Sequence, residues 1–182
     1  MASQTERTVI NAAGLVQGIV LVTFPAASTI FTEKSEYGLS STQYGTMFLP
    51  QVALAIAASL LGPGLAGRIS AKRVYLLGLA CSTISMLLLL LASTLVKTNQ
   101  SAAYPLLLVA TAFLGAGFGL TVPTLNTYTS VFNPGSVDRS VLVLNALLGL
   151  GTALAPVWWP CSWAWGSGGA YPSCRPYCSW GC

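Results

Sequence analysis

Cys174, Cys178 and Cys182 recur at every fourth position in the stretch "WWPCSWAWGSGGAYPSCRPYCSWGC", residues 158–182. The same stretch holds all five tryptophans of the chain and four of its five cysteines. Thiols crowded in this way suggest metal ligation or redox exchange. Zinc sites use C-x2-4-C pairs backed by histidine or further cysteines. Here no CxxC occurs, the chain has no histidine, and Pro176 would break a helix that aligned the three thiols. The residues therefore predict no metal site and no cofactor. A general base is missing as well, because the acids Glu6, Glu33, Glu36 and Asp138 all fall outside the apolar runs. The chain is not expected to be an enzyme.

A second set of chemically capable residues lies within long apolar runs or at their edge: Asn11, Gln17, Thr23, Thr121, Asn126 and Asn145. Amides and hydroxyls offer donors and acceptors without a fixed charge, which suits a neutral, hydroxyl-rich ligand. Polar groups in a membrane span are costly, so each one calls for a partner. That partner is either a ligand or a neighbouring helix. Gln17 and Asn145 stand out as nearest the middle of their runs, with Asn126 beside them as a third candidate.

The elements that must carry these residues follow from composition. The chain is 54% hydrophobic and 7% charged, against roughly 25% charged in soluble domains. A bilayer core needs about 20 mostly apolar residues in a helix. Runs of that kind occupy 9–30, 46–66, 74–96 and 104–125, with a shorter one at 140–157, and none contains Asp, Glu, Lys or Arg. Backbone groups in lipid must be satisfied within their own segment. The predicted fold is an all-α, polytopic membrane bundle of about five transmembrane helices. It has an N-terminal segment at 1–8 and an irregular Trp/Cys-rich tail at 158–182. No run of Lys and Arg with interleaved aromatics exists, so nucleic acid is not an expected partner; the lipid bilayer is.

Arg7, Arg68, Lys72, Arg73 and Arg139 fall on one side of this arrangement, and Lys34 and Lys97 on the other. The positive-inside rule then places the N-terminus in the cytoplasm. The expected location is the cell (inner) membrane. Between the second and third runs, "GPGLAGRISAKRVYLLGL" leaves room for a tight turn only. Gly and Pro permit that turn and close helix approach. Its basic residues are placed to meet helix C-terminal carbonyls and anionic lipid heads.

This loop resembles the signature of the major facilitator superfamily, G-x-L-A-D-R-x-G-R-K. Leu65, Ala66, Arg68 and Lys72 match it, and Arg73 supplies the second of the paired basic residues one position on, whereas Gly67 replaces the aspartate and Ser70 the second glycine. In the family that aspartate helps latch the two halves of the transporter, and this chain has no carboxylate at that position. The segments "FLGAGFGLTVPTLNTYTSVFNP" and "DRSVLVLNALLGLGTALAPV" extend the similarity. Gly115, Gly117 and Gly119 are spaced there for close helix contact, and Asn145, Gly149, Gly151 and Pro156 follow. This pair is similar to the sugar-permease branch, that of the fucose permeases. The resemblance covers about residues 8–157 and implies the N-terminal half of an alternating-access carrier. It implies a small polar solute, a sugar, bound near the midplane between two six-helix halves. Gln17, Asn126 and Asn145 become the expected solute-binding residues, and the C-terminal half is expected as a missing partner. With no acid in any span, no proton-coupling site is visible.

The tail has an explanation in the genetic code. Trp, Cys, Pro, Gly, Ala and Tyr have codons fixed in at least two positions, and Ser and Arg are taken as TCN and CGN. Read one nucleotide earlier, from the third base of Val157, most shifted codons carry T in the middle, which always encodes an apolar residue. None can encode Asp, Glu or Lys. The shifted peptide would lengthen the fifth span, turn, and open a sixth. A frameshift near codon 157 is therefore the expected origin of the tail, leaving a fragment without transport activity. The competing expectation is a small multi-span membrane protein that binds partners through its Cys/Trp tail.

Overall fold

The computed structural model describes the backbone of residues 4–166 and the side chains of residues 4–155. Within them the chain is all-helical. It runs α1 (Gln4–Ala26), α2 (Ser28–Thr32), α3 (Ser41–Thr46), α4 (Leu49–Ile69), α5 (Ala71–Leu95), α6 (Gln100–Phe132) and α7 (Val137–Gly166). Five stretches are long and apolar enough to cross a membrane: Gln4–Thr32, Ser41–Ile69, Ala71–Leu95, Gln100–Phe132 and Val137–Ala155.

Each span is longer than its apolar run, because polar residues at the ends make their own helical contacts. At the start of α3, Ser40 Oγ accepts from the Gln43 backbone N–H at 3.2 Å. Gln43 Oε1 accepts in return from the Ser40 N–H at 3.0 Å, a reciprocal cap that starts the second span five residues before the apolar run. In α6, Thr124, Thr127 and Ser130 donate their hydroxyls to carbonyls four residues back at 2.7–2.9 Å. The helix thereby runs past the expected end at 125 as far as Phe132. The fifth span begins at Val137, and α7 continues past the expected boundary at 157 to Gly166. Residues 158–166 are thus helical where an irregular tail was expected; the rest of that tail lies outside the described residues.

The second span is interrupted between α3 and α4 at Met47 and Phe48. Pro50 lacks the N–H that would close the ladder there. The neighbouring α6 supplies a donor instead, as buried Thr111 Oγ1 donates to Met47 O at 2.7 Å. In an apolar surround such re-satisfaction is obligatory.

Packing is organised around α6, which lies against α4 and α5, while α1 pairs with α7. Small residues set both arrangements. Along α6, a Cβ at Gly115 or Gly119 would meet the α4 backbone at Gln51 and Ala55, and one at Gly117 would meet Ser82 on α5. Successive glycines therefore serve two neighbours from one helix. Ser85 Oγ adds a 2.6 Å bond to Ala110 O, and Ser59 Oγ a 3.3 Å bond to Gly119 O. Such bonds are modest glue, roughly 0.6 kcal/mol each on average in membranes.

The main apolar core sits at the end remote from the N-terminus, where Phe24, Phe31, Tyr37, Met47, Val96 and Leu107 are buried together. Phe31 stacks on Phe24 and meets the edge of Tyr37 with centroids 5.1 Å apart. Burial, and then the charge of Glu36, push the Tyr37 phenol up to about 12. The opposite end carries two clefts.

Candidate functional site at the N-terminal end of the bundle

The six polar candidates within the spans separate into four groups. Thr23 and Thr121 turn their hydroxyls inward, to Ile19 O at 3.1 Å and Gly117 O at 2.8 Å. Both spend their single donor within their own helix. Asn126 on α6 and Asn145 on α7 stand together, with Asn145 Nδ2 donating to Val141 O at 2.9 Å and reaching Asn126 Oδ1 at 3.4 Å. Asn145 is exposed and Asn126 half-buried. Because α7 begins at Val137, Asn145 lies about 12 Å along it. Asn145 thus lies near the middle of the span Val137–Ala155, while Asn126 lies near the C-terminal end of α6.

Gln17 is different. It lies midway along α1, is 3% exposed, and its Nε2 has no hydrogen-bond partner. A buried amide donor left unpaired costs about 1–3 kcal/mol. The structure does not bring Gln17 into hydrogen bonding with the asparagine pair. Methionine has nearly the same shape and no donor. Gln17→Met is therefore expected to raise the stability of the ligand-free bundle by about 1 kcal/mol or more, measured by thermal unfolding in detergent. A loss of stability would mean that the amide is already satisfied.

Asn11 opens onto a cleft between α1, α6 and α7 of about 230 Å³, walled also by Arg7, Thr129, Asn133, Arg139 and Ser140. Arg7 Nη2 donates to Phe132 O at 3.3 Å, tying the start of α1 to the end of α6. Thr129 is 3% exposed and its Oγ1 has no partner. Sequence reading passed over Thr129 and the arginine pair as site residues, since all three lay outside the apolar runs, and passed over Ser140 at the very start of the fifth. A second, largely apolar cleft lies between α1, α5 and α6, lined by Val9, Lys72, Tyr75 and Tyr128 among others.

The loop motif spans the junction of α4 and α5. Leu65 and Ala66 are half-buried near the end of α4, while Arg68, Lys72 and Arg73 are exposed. Arg68 occupies the last turn of α4, where a cation suits the helix dipole. Lys72 and Arg73 lie in the first turn of α5, where the dipole opposes them. Only Arg68 therefore meets the expectation of a favourable helix terminus. A side chain at Gly67 would find open space, so nothing within this bundle requires glycine there. Ser70 is the single residue between the two helices, at φ 91°. Among the described residues no group of His, Cys, Asp and Glu is placed to hold a metal ion.

The family model described as Major Facilitator Superfamily matches residues 9–160. No curated protein and no solved structure matches the chain.

Proposed function

The chain belongs to the major facilitator superfamily, and from that membership we propose that it is part of an alternating-access carrier for a small neutral solute of the sugar class. The family's members are transporters of small solutes in lipid bilayers, and five apolar helices make this chain an integral membrane protein. The solute class rests on one observation above all: the unpaired Nε2 of buried Gln17 near mid-depth on α1. An uncharged donor held without a partner in an apolar surround favours a ligand that accepts a hydrogen bond and carries no charge. Asn126 and Asn145 add amides on a face where Asn145 is exposed, as suits a water-filled cavity better than lipid.

In this reading the N-terminus is cytoplasmic in the cell (inner) membrane, and a C-terminal half completes the cavity. The frameshift near codon 157 belongs to the same proposal. The family match ends at residue 160, close to the change in composition after Val157, which supports it.

The test is solute uptake by cells expressing either the 182 residues or a gene restored to the shifted frame. The 182 residues are expected to give no uptake above background, and the restored gene to transport neutral sugars. Transport by the 182 residues alone would overturn the fragment reading. Sequencing through codons 150–185 and beyond, with no shifted-frame helices found, would overturn the frameshift.

A further inference from the structure

The cleft between α1, α6 and α7 is built for an anion, and neither the solute proposal nor the family match assigns it one. Its wall carries two guanidinium groups, Arg7 and Arg139, and no acid among the described residues lines it. Arg7 spends one donor on Phe132 O and retains the rest of its fork. Arg139 lies in the first turn of α7, and Ser140 beside it also lines the cleft. The positive end of the α7 dipole opposes Arg139 itself but adds to the positive field that an anion in the cleft would meet. Asp138 shares that first turn but does not line the cleft, so an oxyanion held there is attracted by both arginines and meets no acid in the lining.

A second, independent feature points to a ligand. Thr129 lines the same cleft, is 3% exposed, and has no partner for its hydroxyl. Most threonines in α6 donate to a carbonyl three or four residues back, as Thr124 and Thr127 do. Thr129 does not, although its helix is regular there. A volume of about 230 Å³ accommodates a phosphate group with room for ordered water.

We propose that the cleft between α1, α6 and α7 binds a phosphate-type oxyanion, held by Arg7, Arg139 and the Thr129 hydroxyl. The group is either free phosphate or the headgroup phosphate of an anionic lipid. The site does not depend on which solute the carrier moves.

The experiment uses the 182-residue chain in uncharged detergent. Thermal stability is titrated with inorganic phosphate against chloride at matched ionic strength, and separately with phosphatidylglycerol against phosphatidylcholine. A saturable rise with phosphate identifies a free oxyanion site. A rise with phosphatidylglycerol alone identifies a lipid headgroup site. In either case Arg7→Gln and Arg139→Gln should each weaken the apparent affinity about tenfold or more, the usual scale of a charge-assisted hydrogen bond. Thr129→Val, nearly isosteric, should weaken it severalfold, whereas Lys97→Gln, exposed beyond the end of α5 and outside the cleft, should leave it unchanged. Unaltered helical circular dichroism verifies that the variants fold. No response to either probe, or an undiminished response in the Arg7→Gln/Arg139→Gln double variant, overturns the site.

Discussion

Gly151→Ala is expected to destabilise the bundle by about 3 kcal/mol, while Gly149→Ala, two residues away on the same helix, is expected to be neutral or stabilising by up to about 1 kcal/mol. The contrast follows from geometry. A Cβ at Gly151 would meet Leu15 O and stand 3.0 Å from Ile19 N and 3.1 Å from Gly18 Cα. A Cβ at Gly18 would in turn meet Leu148 O and stand 3.1 Å from Gly151 Cα. The two helices thus touch backbone to backbone at one reciprocal point. Backbone cannot rotate aside as a side chain can, so a single methyl must push α1 away from α7. Overpacking typically costs about 1–3 kcal/mol, and the rigid contact puts this case at the upper end. A Cβ at Gly149 would have nothing within 4 Å among the described residues, so alanine there gains helix propensity without a clash. Thermal unfolding of the two variants in the same detergent measures the difference. Equal stability of both would mean that the α1–α7 crossing is looser than the structure has it.

That pair of glycines also shows what the sequence can and cannot say. The five spans were legible because lipid imposes length and apolarity on each helix separately. The glycines at 115, 117 and 119 announced close packing, since small residues let helix backbones approach in a membrane, and their two-residue spacing serves two faces of α6. Gly149 and Gly151 looked alike in sequence, yet only Gly151 faces α1. Which face a helix turns to which neighbour depends on tertiary contacts that hydropathy does not encode. The ends of the spans were misplaced for a related reason: Ser40, Gln43 and Thr124 are polar, but they spend that polarity on their own helices.

The candidate site was legible in part. Gln17 was identified as a polar residue inside a span, and it proves buried with an unpaired donor. Asn126 and Asn145 were identified separately, and the structure brings them within 3.4 Å of each other. The cationic cleft was not foreseen. Its residues come from the start of α1, the end of α6 and the start of α7, where charge and polarity look like ordinary loop composition. Only the folded arrangement turns Arg7 and Arg139, far apart in sequence, into neighbours along one wall.

Ser70→Gly is expected to stabilise the chain by about 1 kcal/mol, the net of two opposed effects. Ser70 sits at φ 91° and ψ 145°, a region adopted almost only by glycine. Holding a side chain there costs about 1–3 kcal/mol. Glycine removes that cost but loses about 0.5–1 kcal/mol more conformational freedom on folding. The strain persists because both helices fix the residue. Its N–H donates to Ala66 O at 3.0 Å, completing α4, and its carbonyl accepts from the Val74 N–H at 3.2 Å, starting α5. The Ser70 hydroxyl makes no capping bond, so Ser70→Ala, which keeps the Cβ, should change stability little. Ser70→Val, with a branched Cβ in the same conformation, should cost about 1 kcal/mol or more. The order Gly above Ser and Ala, with Val lowest, is a signature of backbone strain that lost hydrogen bonding cannot imitate. If alanine stabilised as much as glycine, the hydroxyl and not the backbone would be at fault. The position is also where the family signature places its second glycine, between Arg68 and Lys72. With a one-residue junction, the angle between α4 and α5 depends on this φ, so the signature glycine has a mechanical reason that this chain meets with serine under strain.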